Sequence, residues 1–70
     1  MEDSVYKIIE LVGTSKKSWE DAAMNAINTA SKRLRDLRVA EIVKFDLKIE
    51  NGKVAAFRVR VNVSFKYEKE

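Results

Sequence analysis

Seventy residues, with fourteen Lys and Arg against eleven Asp and Glu, make one domain of net charge +3. A chain this short builds only a marginal core unless something else stabilises it. Cysteine, histidine and proline are all absent, which excludes disulfides, thiolate metal sites, thiol nucleophiles, imidazole bases and cis-proline switches.

Residues 5–12 (VYKIIELV) read as a short β-branched strand ended by Gly13. Val5, Ile9 and Leu11 point one way, with Lys7 the exception, and Tyr6, Ile8 and Val12 point the other. The spacing then predicts one long amphipathic helix over 18–37. Ser18 is its N-cap, with Asp21 three residues on in a weak capping-box pattern. Glu20 and Asp21 fall in the first turn and Lys32, Arg33 and Arg35 in the last turns, as the helix dipole favours. Trp19, Ala23, Ala26, Ile27, Ala30, Leu34 and Leu37 share a face that is mostly alanine, which lets the helix lie close to a sheet.

Residues 38–50 alternate as a second strand. Val39, Val43, Phe45, Leu47 and Ile49 take one face, interrupted by Glu41. Ala40, Lys44, Asp46 and Lys48 take the other, with Ile42 an apolar intruder. Asn51-Gly52 is a hairpin signal. Residues 54–67 return with Phe57, Val59, Val61, Val63 and Phe65 on one face and Arg58, Arg60, Asn62, Ser64 and Lys66 opposite. The apolar pattern favours a three-residue loop that pairs Ile49 with Lys53, Phe45 with Phe57 and Val43 with Val59. The fold class is therefore α+β, in the order β-α-β-β. A three-stranded antiparallel sheet, with the third strand central, wraps the helix.

The lengths do not match. A helix of about 19 residues covers roughly 28 Å, while strands of about 12 residues reach roughly 40 Å. The overhang near the turn carries Phe45, Leu47, Ile49 and Phe57. Burying each such side chain stabilises by about 1.5–3 kcal/mol, so further subunits are expected to cover them.

The chain resembles the dodecins. The resemblance rests on Val5-Tyr6-Lys7, Val12-Gly13-Thr14-Ser15, Ser18-Trp19 with Ala22-Ala23 and Ala26-Ile27, Val39-Ala40-Glu41, and the closing Val61-Asn62-Val63-Ser64-Phe65. It spans nearly the whole chain as a single domain, residues 1–70. It implies a hollow homododecamer of 23 symmetry that binds or stores a small ligand without catalysis. Flavin-binding dodecins stack isoalloxazine rings between tryptophans that open the second strand, and a glutamine early in the third strand hydrogen-bonds the ring. Those positions are Val39 and Arg58 here. Valine has no π face to stack, and arginine cannot accept a hydrogen bond. FMN, riboflavin or FAD is thus expected to bind weakly or not at all. The Val39 pattern is similar to a branch without the tryptophan, of which one member chelates calcium. Other dodecins bind coenzyme A near the end of the last strand, close to Lys66.

The residues themselves suggest an anion or phosphate contact at Lys66, Arg60 and Lys44, with Arg58 on the same strand face. For a cation, Glu10, Glu20, Asp21, Asp36 and Asp46 are scattered, and only a symmetry axis gathers enough oxygens for calcium. Trp19 reads as a packing anchor at the helix start. Nothing nominates a catalytic pair, so no enzyme activity is expected. No aromatic residues interleave with Lys32, Arg33, Arg35 and Arg38, so no nucleic-acid partner is expected. The acidic opening Met-Glu-Asp-Ser, with no apolar run after it, leads to the expectation of a cytoplasmic protein with no membrane partner.

Overall fold

The computed structural model describes residues 5–67, so the acidic opening 1–4 lies outside the described residues. The elements run β1 (Tyr6–Ser15), α1 (Trp19–Ser31), β2 (Leu37–Glu50) and β3 (Lys53–Lys66). The sheet order is β1-β3-β2, with β3 antiparallel to both neighbours. The central third strand is as expected. The helix lies against β1 and β3. Its buried Ala22 and Ala26 form the core with Val59, Val61 and Val63 of β3, with Ile9, Leu11, Trp19, Ala23, Ile27 and Leu37 packed around it, and Ala30 is buried further along the helix.

The first correction concerns Gly13, which does not end β1. It pairs with Val59 inside the strand, which continues to Ser15. A Cβ at Gly13 would lie 2.1 Å from the Ala22 carbonyl oxygen and 3.0 Å from the Ala26 Cβ. The alanine stripe of α1 thus approaches the sheet closely at Gly13, and only a residue without a side chain leaves that space.

The second correction is the length of the helix. Ser18 caps α1 as expected, its hydroxyl accepting from the Asp21 N–H at 2.9 Å. The Asp21 carboxylate instead accepts from the Ser15 hydroxyl at 2.7 Å, tying the cap to the end of β1. The helix stops at Ser31 rather than Leu37, so Lys32, Arg33 and Arg35 lie beyond its last turn. The Ser31 hydroxyl donates to the Asn28 carbonyl at 2.9 Å, a local bond that competes with helix continuation. Asp36, at φ 58, turns the chain so that its carbonyl accepts from Lys66 N–H and Leu37 pairs with Phe65. Sheet pairing outweighs helix propensity over these residues.

The third correction is the hairpin register. Ile49 pairs with Val54 and Glu50 with Lys53, so the loop has two residues, not three. Asn51 (φ 52) and Gly52 (φ 75) both lie in the left-handed region that a type I′ turn requires. Ala55 is then an extra residue in β3, so Phe45 meets Val59 and Leu47 meets Phe57. Two more irregularities fall in β2, at Arg38 and Val43. The bulge at Val43 reverses the alternation. Ala40 and Ile42 pair with Val63 and Val61 on the helix side, while Val39 and Glu41 pair with Ser64 and Asn62 on the outer side. Glu41 and Ile42 therefore face as their polarity suits.

A helix of 13 residues covers about 20 Å, whereas each hairpin strand of 14 residues reaches about 46 Å. The domain is accordingly elongated, 52 × 20 × 14 Å. Beyond its first residue every position of β2 is exposed. Phe45 is 60% and Ile49 57% exposed, and Leu47 and Val54 are also in contact with solvent. No helix among the described residues is long and apolar enough to cross a membrane.

Candidate functional site

The sheet face turned away from α1 carries the polar side chains of β3. Because residues directly opposite each other in an antiparallel pair project to the same side, the register arranges this face in rows across β1, β3 and β2. The rows are Ile8–Ser64–Val39, Glu10–Asn62–Glu41, Val12–Arg60–Lys44 and Thr14–Arg58–Asp46, with Lys66 beside Tyr6 at the far end.

Arg58 and Asp46 form the one tight ion pair of this face among the described residues. The Arg58 Nε–H donates to Asp46 Oδ1 at 2.8 Å and its Nη2–H to Oδ2 at 3.3 Å. That hydrogen bond holds the Asp46 carboxyl below its ordinary value of 3.8 against partial desolvation, and the charges of Arg58, Arg60 and Lys44 act in the same direction. The pair is more than a third exposed on both sides. The other ion pair among the described residues, Lys48–Glu50 at 3.4 Å, lies along β2 near the turn.

Val39 and Arg58 share this outer face, although the sequence pattern had placed Val39 with Phe45. They do not meet within one chain. Val39 sits opposite Ser64, whose hydroxyl donates to the Val39 carbonyl at 3.4 Å. Arg58 is six positions further along β3, about 20 Å away. Val39 is 62% exposed, and it borders a shallow cleft with Ile27, Leu37, Arg38, Ala40 and Val63. The expected anion set divides in the same way. Lys44 and Arg60 are direct partners, while Lys66 is six positions from Arg60.

The carboxylates named for a cation have other roles or stand apart. Asp21 belongs to the helix cap and Asp46 to Arg58. Glu20 borders an apolar groove with Trp19, Ala23, Ile42 and Phe45. No three acidic side chains gather to hold a metal ion among the described residues. One alignment escaped the sequence reading, namely Glu10 and Glu41 flanking Asn62 in a single row. Only the register shows it, because the three lie far apart along the chain.

Trp19 is the packing anchor at the helix start. Its ring meets Phe57 edge-on at 5.1 Å and Phe45 at 5.7 Å. It stands on the helix side of β2, away from the row that holds Val39.

The dodecin family model matches residues 5–68. Calcium dodecin of Mycobacterium tuberculosis is 40% identical over 63 residues, covering 90% of this chain and 89% of the relative. The dodecin of Thermus thermophilus is 38% identical over 64 residues, covering 91% and 93%. The solved dodecin of Streptomyces coelicolor superposes with a TM-score of 0.90 at 34% identity over the full length of both chains. The crystal structure of the calcium-chelating dodecin of M. tuberculosis gives a TM-score of 0.83 at 40% identity, covering 96% of each chain.

Proposed function

The chain belongs to the dodecin family, and on that premise we propose that it is a cytoplasmic, non-catalytic homododecameric shell of 23 symmetry that binds and sequesters a small ligand. The observation that carries this reading is β2. It is exposed along nearly its whole length while presenting Ile42, Phe45, Leu47 and Ile49 on the helix side. A closed assembly is the arrangement that covers such a strand in every copy.

Flavin is the family ligand that the residues support least. The position for a stacking tryptophan holds Val39. The position for the glutamine holds Arg58, whose guanidinium is already engaged by Asp46.

A second reading, calcium as the cargo, has its own support. The relative that is 40% identical over most of the chain is a calcium dodecin. In this chain Glu10, Asn62 and Glu41 supply hard oxygen donors in one row. Two carboxylates and one amide fall short of the six to eight or so oxygens that calcium takes, so the row would need donors from further copies.

Native mass spectrometry of the purified protein tests the assembly and the cargo together. The expected spectrum shows twelve chains of 8.1 kDa each with a small ligand or ions retained. A persistent monomer would sink the reading. Fluorescence titration with FMN and calorimetric titration with calcium after chelation then separate the cargoes. Weak FMN quenching with calcium uptake supports the second reading, and tight FMN quenching at one per subunit overturns the doubt about flavin.

A further inference from the structure

We propose that the cross-strand pair Lys44–Arg60 is a binding subsite for the phosphate group of a small ligand. Like charges directly opposite one another in a sheet destabilise the pairing. Lys44 and Arg60 are such partners on the outer face. Among the described residues neither has a carboxylate at ion-pair distance, because the ion pairs there are Lys48–Glu50 and Arg58–Asp46. Asp46, in the neighbouring row, makes its hydrogen bonds to Arg58 and none to Lys44 or Arg60. Glu10 and Glu41 stand one row further on, flanking Asn62. Among the described residues the pair is therefore two adjacent positive charges with no direct ion-pair partner.

The chemistry of the two side chains suits a dianion. The planar Arg60 guanidinium offers two parallel N–H donors, a fork that matches two oxygens of a phosphate. The Lys44 ammonium adds a point charge on the other side. Val12 closes the β1 end of the row, and Thr14 with Arg58 forms the neighbouring one. Arg60 is half-buried between its neighbours, which limits its freedom, while Lys44 is exposed and able to adjust. Lys66 does not belong to the subsite. It is six positions along β3 from Arg60, about 20 Å away.

This subsite refines the small-ligand reading and rests on it. The test is thermal stability and calorimetric titration of the assembled protein with inorganic phosphate and with AMP, against chloride at equal ionic strength. Phosphate is expected to raise the melting temperature where chloride does not. Tighter binding of AMP identifies phosphate on an organic ligand as the target, and equal or weaker binding identifies free phosphate.

Lys44→Gln and Arg60→Gln should each weaken binding at least about tenfold, the loss expected when a hydrogen bond between charged groups is removed. Lys53→Gln, at an exposed lysine beside the turn, should leave binding unchanged, and Asp46→Asn should tighten it by releasing Arg58. Unchanged binding in Lys44→Gln and Arg60→Gln overturns the proposal, and so does an equal loss in Lys53→Gln, which would mark a diffuse field. If those two variants disrupt the oligomer while phosphate has no effect, the pair serves a contact between copies and the proposal also fails. Absence of phosphate binding to an intact dodecamer would remove the subsite and leave the shell reading standing.

Discussion

The indole N–H of Trp19 donates to the backbone carbonyl of Asp46 at 3.1 Å, joining the first residue of the helix to the middle of a strand 27 positions away. The same residue of β2 is held from the other side of the sheet, where its carboxylate binds Arg58. The uncovered strand is thus pinned on both faces at one point. Trp19 also supplies edge-on contacts to Phe45 and Phe57, the first apolar side chains of the overhang.

Replacing Trp19 tests this anchor. Trp19→Ala should destabilise the fold by about 2–3 kcal/mol, below the range of about 3–5 for a fully buried tryptophan because this ring is half-buried. Trp19→Phe keeps much of the ring packing and loses the N–H bond, with an expected cost of about 1 kcal/mol. Urea melts followed by far-ultraviolet circular dichroism measure both. Equal costs for the two variants would show that the hydrogen bond, not the packing, does the anchoring.

The two glycines should respond in different ways. Gly13→Ala puts a methyl group against a backbone oxygen that cannot move without shifting α1. Its cost should reach or exceed the upper end of the roughly 1–3 kcal/mol typical of overpacking. Gly52 has open space around it and a φ of +75, so Gly52→Ala should cost only the left-handed backbone penalty of about 1–2 kcal/mol. Thermal melts of the two variants give the order directly, and a milder effect at Gly13 than at Gly52 would contradict the close approach of helix and strand.

How much of this was legible beforehand follows from which rule governs each residue. Strand alternation placed Arg58, Arg60, Asn62, Ser64 and Lys66 on one face because β3 is regular over that stretch. The same rule failed in β2, where the bulge at Val43 moves Val39 to the outer face. Its trace was present in the sequence, since Glu41 and Ile42 both had the wrong polarity for an unbroken strand. The hairpin was misjudged because a two-residue turn and a bulge at Ala55 together produce the apolar pairing that a longer loop alone seemed to require. Gly13 resembled a strand end because its reason for being glycine lies in α1, across the core. The row containing Glu10, Asn62 and Glu41 joins all three strands, so no local pattern announces it.

The Asp46–Arg58 pair sets an acid limit. Unfolded, Asp46 titrates near its ordinary value of 3.8, and folded, Arg58 holds it lower. The pair's contribution is therefore fully present above about pH 4–5. It is lost as the pH falls through the lowered folded value. The chain has no histidine, so no imidazole adds a transition near neutral pH. Melting temperatures from pH 2 to pH 7 should fall more steeply at the acid end for the native protein than for Asp46→Asn. Salt should reduce the difference, because both groups are partly exposed. Identical acid profiles would show that the pair contributes nothing to folding.

Assembly should depend most on the hairpin tip, where Phe45 and Ile49 remain exposed in the single chain. Phe45→Lys gives up its edge-on contact with Trp19, worth about 0.5–1.5 kcal/mol, but a charge at either position otherwise spares the fold of one copy, because a side chain that is more than half exposed loses little internal packing. It would, however, desolvate an unpaired ammonium in any interface covering the tip, at a cost of several kcal/mol. Ile49→Lys and Phe45→Lys should therefore shift the native mass spectrum toward the 8.1 kDa chain while circular dichroism stays native-like. Ile8→Lys provides the contrast, since Ile8 is as exposed as Val39 but lies at the opposite end of the sheet, beside Ser64. If Ile49→Lys and Phe45→Lys leave the oligomer intact, the tip is not buried by further copies and β2 must be covered in some other way.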